Sequence, residues 1–243
     1  MFRFDKKYLY VIMAVIIFLG LSRYLNNTAE LINLLLTIPA VLIAITFHEF
    51  AHAFVADKLG DDTPRRQGRL NLNPFSHLDP IGSILLIFAG FGWGKPVEIN
   101  PTNFTRKLSM NKAEALVSIA GPVMNFLLSI VFSIIFFVIL KFAPTFIFTN
   151  IGSIIMTLIQ LTIIINVGLG VFNLIPLPPL DGAKVLKAVL PYNVKDFFER
   201  NEQIFYFIFL FLWITGIASN IILPIINFVY NGIFGGIGTL FGL

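Results

Sequence analysis

Hydrophobic positions run along this chain in long uninterrupted blocks, not in the alternation of a half-buried strand or the one-sided stripe of a surface helix. Blocks of about 20 apolar residues cross a bilayer as helices. The first, over 8–25, follows Arg3, Lys6 and Lys7, the layout of a signal peptide or a short signal anchor. Leu19-Gly20-Leu21-Ser22-Arg23 is a poor cleavage site, so this segment is expected to remain as a span. Further blocks cover 31–56, 113–140 and 151–175. Beyond Glu202 the chain carries no formal charge to its end. One helix over that tail would be roughly twice as long as the hydrocarbon is thick. A fold-back is therefore expected at Ser219, Asn220 and Pro224, giving spans over 203–219 and 221–241. Gly235, Gly236, Gly238 and Gly242 weaken the last of these as a helix. The pattern predicts an all-α polytopic membrane protein, one domain over 1–243, with about six transmembrane helices.

The connection 57–112 breaks this rhythm. Its apolar piece, 81–93, is too short to cross and is expected to be re-entrant, interfacial or packed into protein. Asn73-Pro74, Asp79-Pro80, Lys95-Pro96 and Asn100-Pro101 exclude one long helix, and Val97-Glu98-Ile99, between prolines, predicts a short β-strand. Apolar runs of this kind also argue against a disordered linker.

Composition sharpens the picture. With 57% hydrophobic and 12% charged residues, against a usual charged fraction of about 25%, the chain cannot clothe a soluble globule. The absence of cysteine excludes a disulfide scaffold, a thiolate zinc site and a cysteine nucleophile, and leaves His, Asp and Glu to hold any metal. The net charge of +4 on so apolar a chain speaks for membrane orientation and not for nucleic acid. With the N-terminus inside, all but Arg23 and Lys141 of the 17 basic residues fall on the inner side. That bias makes 57–112 cytoplasmic in a multi-pass protein.

The ionisable residues inside the apolar blocks mark the chemistry, because such groups are costly in a membrane. The second block contains His48-Glu49-Phe50-Ala51-His52. Positions i and i+4 share a helix face with Cβ atoms roughly 6 Å apart, so both imidazoles reach one metal ion. Glu49 then stands next to the first ligand, where it can take the proton of an activated water, the arrangement of H-E-x-x-H metalloproteases. A catalytic zinc site needs a third protein ligand. Asp181, at the end of Asn173-Leu174-Ile175-Pro176-Leu177-Pro178-Pro179-Leu180-Asp181-Gly182, is a candidate. The prolines stop the fourth span and hold its sequel extended. An aspartate there can equally cap the helix that follows, and the residues alone leave both roles open.

The HEFAH helix together with the downstream N-x-x-P-x-P-x-x-D-G stretch resembles the site-2 protease family of intramembrane zinc metalloproteases. Gly121-Pro122 and Asn125 in the third span match a pattern of that family, as do Asn173 and the segment from Asn73 to Gly82 (N-P-x-x-H-x-D-P-x-G). The matches run in order over about 47–186. The resemblance implies one Zn2+ per chain held by His48, His52 and Asp181, with Glu49 as catalytic base. It implies a zinc endopeptidase cutting transmembrane protein substrates in the bilayer, in a compact form without PDZ or CBS domains that points to a prokaryotic plasma membrane. Asn125, Asn173 and His77 are candidates for contact with substrate or oxyanion. Each also has a plainer role: interhelical packing for the asparagines, a loop hydrogen bond for His77. The rival functions are a divalent-metal transporter, which favours several sites along a path, and a catalytically silent membrane scaffold.

Overall fold

The computed structural model describes residues 27–89, 93–105 and 108–243; the expected first span, 8–25, lies outside them. Helix α1 (Thr28–Lys58) starts at Asn27, whose side chain accepts from the backbone N–H groups of Ala29 and Glu30. Two single turns follow, α2 (Thr63–Arg66) and α3 (Pro74–His77), each with proline at its start, where the missing N–H costs nothing. Helix α4 (Pro80–Ala89) is the short apolar piece. Then come α5 (Met110–Phe142), α6 (Asn150–Asn173), α7 (Asp181–Val189), α8 (Tyr192–Arg200), α9 (Glu202–Ile214) and α10 (Ile217–Phe241).

Among the described residues four helices, α1, α5, α6 and α10, are long and apolar enough to cross a membrane. The chain is an all-α, multi-pass membrane protein; five of the six expected spans fall among the described residues, and four of those five are long enough there. Helix α9 has 13 residues, about 20 Å at 1.5 Å per residue, against the roughly 30 Å of hydrocarbon. The break before the last helix also lies elsewhere than expected. Gly216 takes φ +75° and its N–H closes on Trp213 O at 3.0 Å, ending α9 in a left-handed glycine turn. Ser219, Asn220 and Pro224 sit inside α10.

The expected strand at Val97–Ile99 has no ladder. The described residues hold one isolated antiparallel bridge, between Leu78 and Gly94. Pro96 has no N–H to give, and the N–H of Val97 goes to a side chain instead.

Helices α1, α5 and α6 pack on one another and enclose the site. On α1 the contact is made by small residues, with Ala40, Ala44, Ala53 and Ala56 fully buried, which lets neighbouring backbones approach. Between α5, α6 and α10 lies a second, bulkier core, including Phe136, Phe137, Ile163, Val167 and Ile222. The opposite face of α5 (Leu127, Ile130, Val131, Ile134, Val138) is exposed, the surface a bilayer covers.

Candidate metal centre

Three elements converge on one point. His48 and His52 stand one turn apart on α1, and their Nε2 atoms are 3.1 Å from each other. Asp181 comes from the first turn of α7, and its Oδ2 is 3.2 Å from each Nε2. The N-cap of α7 is Leu180 and no side chain caps it, so Asp181 is free of the capping role. Gly182 lets the chain turn there. A Cβ on it would stand 2.3 Å from Leu174 O and 2.5 Å from Ile175 O, so only glycine lets α7 start against the end of α6.

The protons of the two imidazoles follow from their outer partners. Nδ1 of His52 is 2.6 Å from the carbonyl oxygen of Val117. A carbonyl only accepts, so that Nδ1 carries a hydrogen and, in the neutral ring, Nε2 is bare. Nδ1 of His48 is 2.6 Å from Oδ1 of Asn125, whose Nδ2 donates to Ala44 O at 3.1 Å. That second bond fixes the amide, so Asn125 offers its oxygen and His48 Nδ1 too must donate. With both rings neutral, two imidazole lone pairs and a carboxylate oxygen therefore face one another.

Such a triangle calls for a cation. Donor atoms about 2.0–2.1 Å from a tetrahedral zinc lie roughly 3.3–3.4 Å apart, close to the 3.1–3.2 Å found here. Nitrogen, nitrogen and carboxylate is also a donor set zinc takes in catalytic sites. Among the described residues these three form the one group of His, Asp and Glu so arranged.

Helix α5 backs the triangle with Val117, Gly121 and Asn125, at i, i+4 and i+8 on one face. A Cβ on Gly121 would collide with both imidazoles. Glu49 lines the same cavity as the three ligand candidates, a space of about 390 Å3. Its Oε2 accepts from the N–H of Val97 at 3.0 Å. Pro96, Val97, Ile99 and Asn173 border the cavity as well.

The remaining expected residues separate. Asn173 is half-buried, lines the cavity and donates through Nδ2 to Leu169 O at 3.1 Å. Asn125 does not face the cavity. It is fully buried behind His48 with its oxygen and amino group both engaged, so it has no group left for a substrate. His77 is also fully buried and away from the cavity; its Nε2 donates to Asn71 O at 2.7 Å within the turn-rich connection. Burial holds its pKa below the usual histidine range, opposed by the Asn71 bond and reinforced by the Arg69 charge.

Two residues escaped the reading of the sequence. Arg69, 5% exposed, donates to the carbonyls of Ser76 and Lys95 and ties the segment beside Glu49 to the connection. Asn166 in α6 is fully buried and accepts from Asn125. An amide in the middle of an apolar block was the available signal for Asn166. Arg69 gave none, since a basic residue in a turn-rich connection reads as surface.

The family described as Peptidase family M50 matches residues 36–216. "Putative zinc metalloprotease YwhC" of Bacillus subtilis is 38% identical over 190 residues, 77% of this chain and 84% of the relative. "Putative zinc metalloprotease Rip2" of Mycobacterium tuberculosis is 31% identical over 156 residues, 63% of this chain and 56% of its own length. "Zinc metalloprotease MJ0392" of Methanocaldococcus jannaschii is 26% identical over 225 residues, 91% of this chain and 54% of its own. The chain thus spans just over half the length of the last two. No solved structure matches.

Proposed function

The chain belongs to peptidase family M50, and from that premise we propose that it is an intramembrane zinc endopeptidase hydrolysing peptide bonds in or near transmembrane segments of membrane-protein substrates. The observation that carries this reading is the convergence of two bare Nε2 atoms and one carboxylate oxygen beside an unliganded Glu49, in one cavity walled by spanning helices.

His48, His52 and Asp181 would hold one Zn2+. The ion supplies Lewis-acid polarisation of a peptide carbonyl and of the attacking water. Glu49 takes the water proton as the oxygen adds to the carbonyl carbon, and passes it to the amide nitrogen as the C–N bond breaks. Glu49 is held ready for this by the Val97 N–H.

A helical peptide bond is already hydrogen-bonded, so the substrate must unwind to be cut. The N–H groups of Glu98 and Ile99 bond to nothing among the described residues, and Val97 and Ile99 border the cavity. This edge can take an extended substrate by strand addition, with Asn173 as a further hydrogen-bonding group. The active site lies nearer the cytoplasmic face of the plasma membrane, with the N-terminus inside. His48 precedes the end of α1 at Lys58 by only ten residues or so, roughly 15 Å.

The test is metal analysis and cleavage of transmembrane peptides by the purified protein and its Glu49→Gln and Asp181→Ala variants. Glu49→Gln is expected to keep its zinc while cleavage falls about 10²–10⁴-fold. Wild-type cleavage by Glu49→Gln, or unchanged zinc affinity in Asp181→Ala, overturns the assignment. Zinc flux into liposomes that needs His48 and His52, from a protein that cuts nothing, would establish transport instead.

A further inference from the structure

Asn166 stands near the middle of α6, fully buried, and does not border the cavity. Its bonds nevertheless lead to the metal centre. Its Nδ2 donates to Thr162 O at 2.8 Å. A backbone carbonyl cannot donate, so this contact fixes the amide and turns Oδ1 toward α5. There Oδ1 accepts from Nδ2 of Asn125 at 2.8 Å. The second N–H of Asn125 goes to Ala44 O at 3.1 Å. Both hydrogens of that amide are then used, and its oxygen is left for Nδ1 of His48 at 2.6 Å.

Each contact in this series has one allowed polarity, set at the two ends by the carbonyls of Thr162 and Ala44. We propose that Asn166 is a positioning residue: through Asn125 it holds His48 as the Nδ1–H tautomer, with the Nε2 lone pair aimed at the metal position. The importance of that tautomer rests on the zinc reading above; the relay itself does not. Three helices, α1, α5 and α6, are joined by it, so the same bonds that align the ligand also set the helices that carry it. An uncompensated amide is costly at this depth, which a role in packing alone would not require when an aliphatic side chain would fill the space.

Without the Asn166 oxygen, one Asn125 N–H loses its acceptor in a place that water does not reach. The amide is then free to turn and present its NH2 to Nδ1 of His48. The imidazole proton moves to Nε2, and the lone pair leaves the metal position. Loss of an outer partner of this kind costs about tenfold or more in metal affinity. Asp in place of Asn166 restores the relay if protonated, because its O–H can donate to Thr162 O and its carbonyl oxygen can accept from Asn125.

The chain contains only three histidines, so the ring nitrogens are resolvable by 15N NMR of histidine-labelled, metal-free protein, followed upward in pH until the imidazole signals stop moving and the rings are neutral. Wild type should show His48 and His52 protonated on Nδ1 alone. In Asn166→Ala, His48 should shift toward the Nε2–H form while His52, held by Val117, stays unchanged. Zinc affinity by chelator competition should fall about tenfold in Asn166→Ala and return largely in Asn166→Asp. An Nε2–H tautomer of His48 in wild type overturns the proposal whatever the variants do. So does a folded Asn166→Ala with wild-type tautomer and zinc affinity. Should wild type bind no zinc and yet show the expected tautomers and their shift, the zinc reading fails and the relay stands.

Discussion

Gly121 of α5 lies directly against the Nε2 edge of His52: a Cβ built on it would stand 2.4 Å from Nε2 of His52 and 2.6 Å from Nε2 of His48. The helix behind the histidines can come this close only because position 121 has no side chain. Gly121→Ala must therefore push one or both rings off the position their Nδ1 bonds define. We expect zinc affinity to fall on the order of 10–100-fold, the range for disturbed ligand orientation, read by chelator competition. Gly232, with nothing within 4 Å of its Cβ position, is the control. Gly232→Ala should leave zinc affinity unchanged and favour the helix by up to about 1 kcal/mol. Equal effects of the two substitutions would remove the steric argument.

A second glycine guards the other side of the cavity and should fail differently. A Cβ on Gly94 would meet Ile45 Cγ2 at 2.8 Å, Glu49 Oε1 at 3.1 Å and His77 O at 3.1 Å. None of these atoms belongs to a ligand candidate. Gly94→Ala should displace the segment whose Val97 N–H holds Glu49, so peptide cleavage should drop by about tenfold or more with zinc affinity kept. The pairing of lost zinc in Gly121→Ala with retained zinc in Gly94→Ala separates metal holding from base positioning. Zinc loss in Gly94→Ala would contradict the geometry.

How much of this was legible beforehand depended on whether the information was local. His48, Glu49 and His52 lie within one helical turn, so their spacing alone placed both imidazoles on one face. Asp181 was not decidable, because a ligand and a cap occupy the same place in the chain; what settles its geometry is Leu180 at the cap position and a carboxylate turned toward α1. Asn125 and Asn173 looked alike as amides in apolar runs. The rotation of α5 and α6 about their axes put one behind the ring of His48 and the other on the cavity wall, and that setting comes from packing. The break before the last span was misplaced for a related reason. Pro224 removes only one hydrogen bond and the helix runs past it, whereas the left-handed turn at Gly216 ends α9 and separates it from α10.

Asn173 supplies a prediction that does not involve zinc at all. Its amino group is engaged with Leu169 O at 3.1 Å, which orients the amide and leaves Oδ1 to accept from a peptide N–H in the cavity. One neutral hydrogen bond contributes about 0.5–1.5 kcal/mol. Asn173→Ala should thus lower kcat/KM for a transmembrane peptide by roughly 2–10-fold, chiefly through KM, at unchanged zinc content. An effect confined to kcat, or none, would place the substrate elsewhere.

The last prediction concerns acid. Asp61, just beyond α1, is fully buried, and its carboxylate accepts from Asn100 N at 2.6 Å, Asn103 Nδ2 at 3.0 Å and Thr63 N at 3.1 Å, and from the Thr63 hydroxyl. Burial pushes its pKa up, but the hydrogen bonds from Thr63, Asn100 and Asn103 together outweigh it and hold the group below the ordinary value of 3.8. A depressed folded pKa adds stability that is fully present above the unfolded value and is lost as pH falls through the folded one. Stability against thermal unfolding in detergent should therefore fall progressively below about pH 4. In Asp61→Asn that part of the acid loss should vanish, since no carboxylate remains to protonate. At neutral pH the same variant should be less stable by about 1–3 kcal/mol, because its NH2 faces N–H donors that a carboxylate satisfied. The segment 100–105, bonded here to Asp61 and to Leu59 O through Thr105 N, should loosen with it. Amide exchange at Asn100 should then rise more than exchange within α5. A uniform change across the molecule would show Asp61 acting on the fold as a whole and not on the edge beside Glu49.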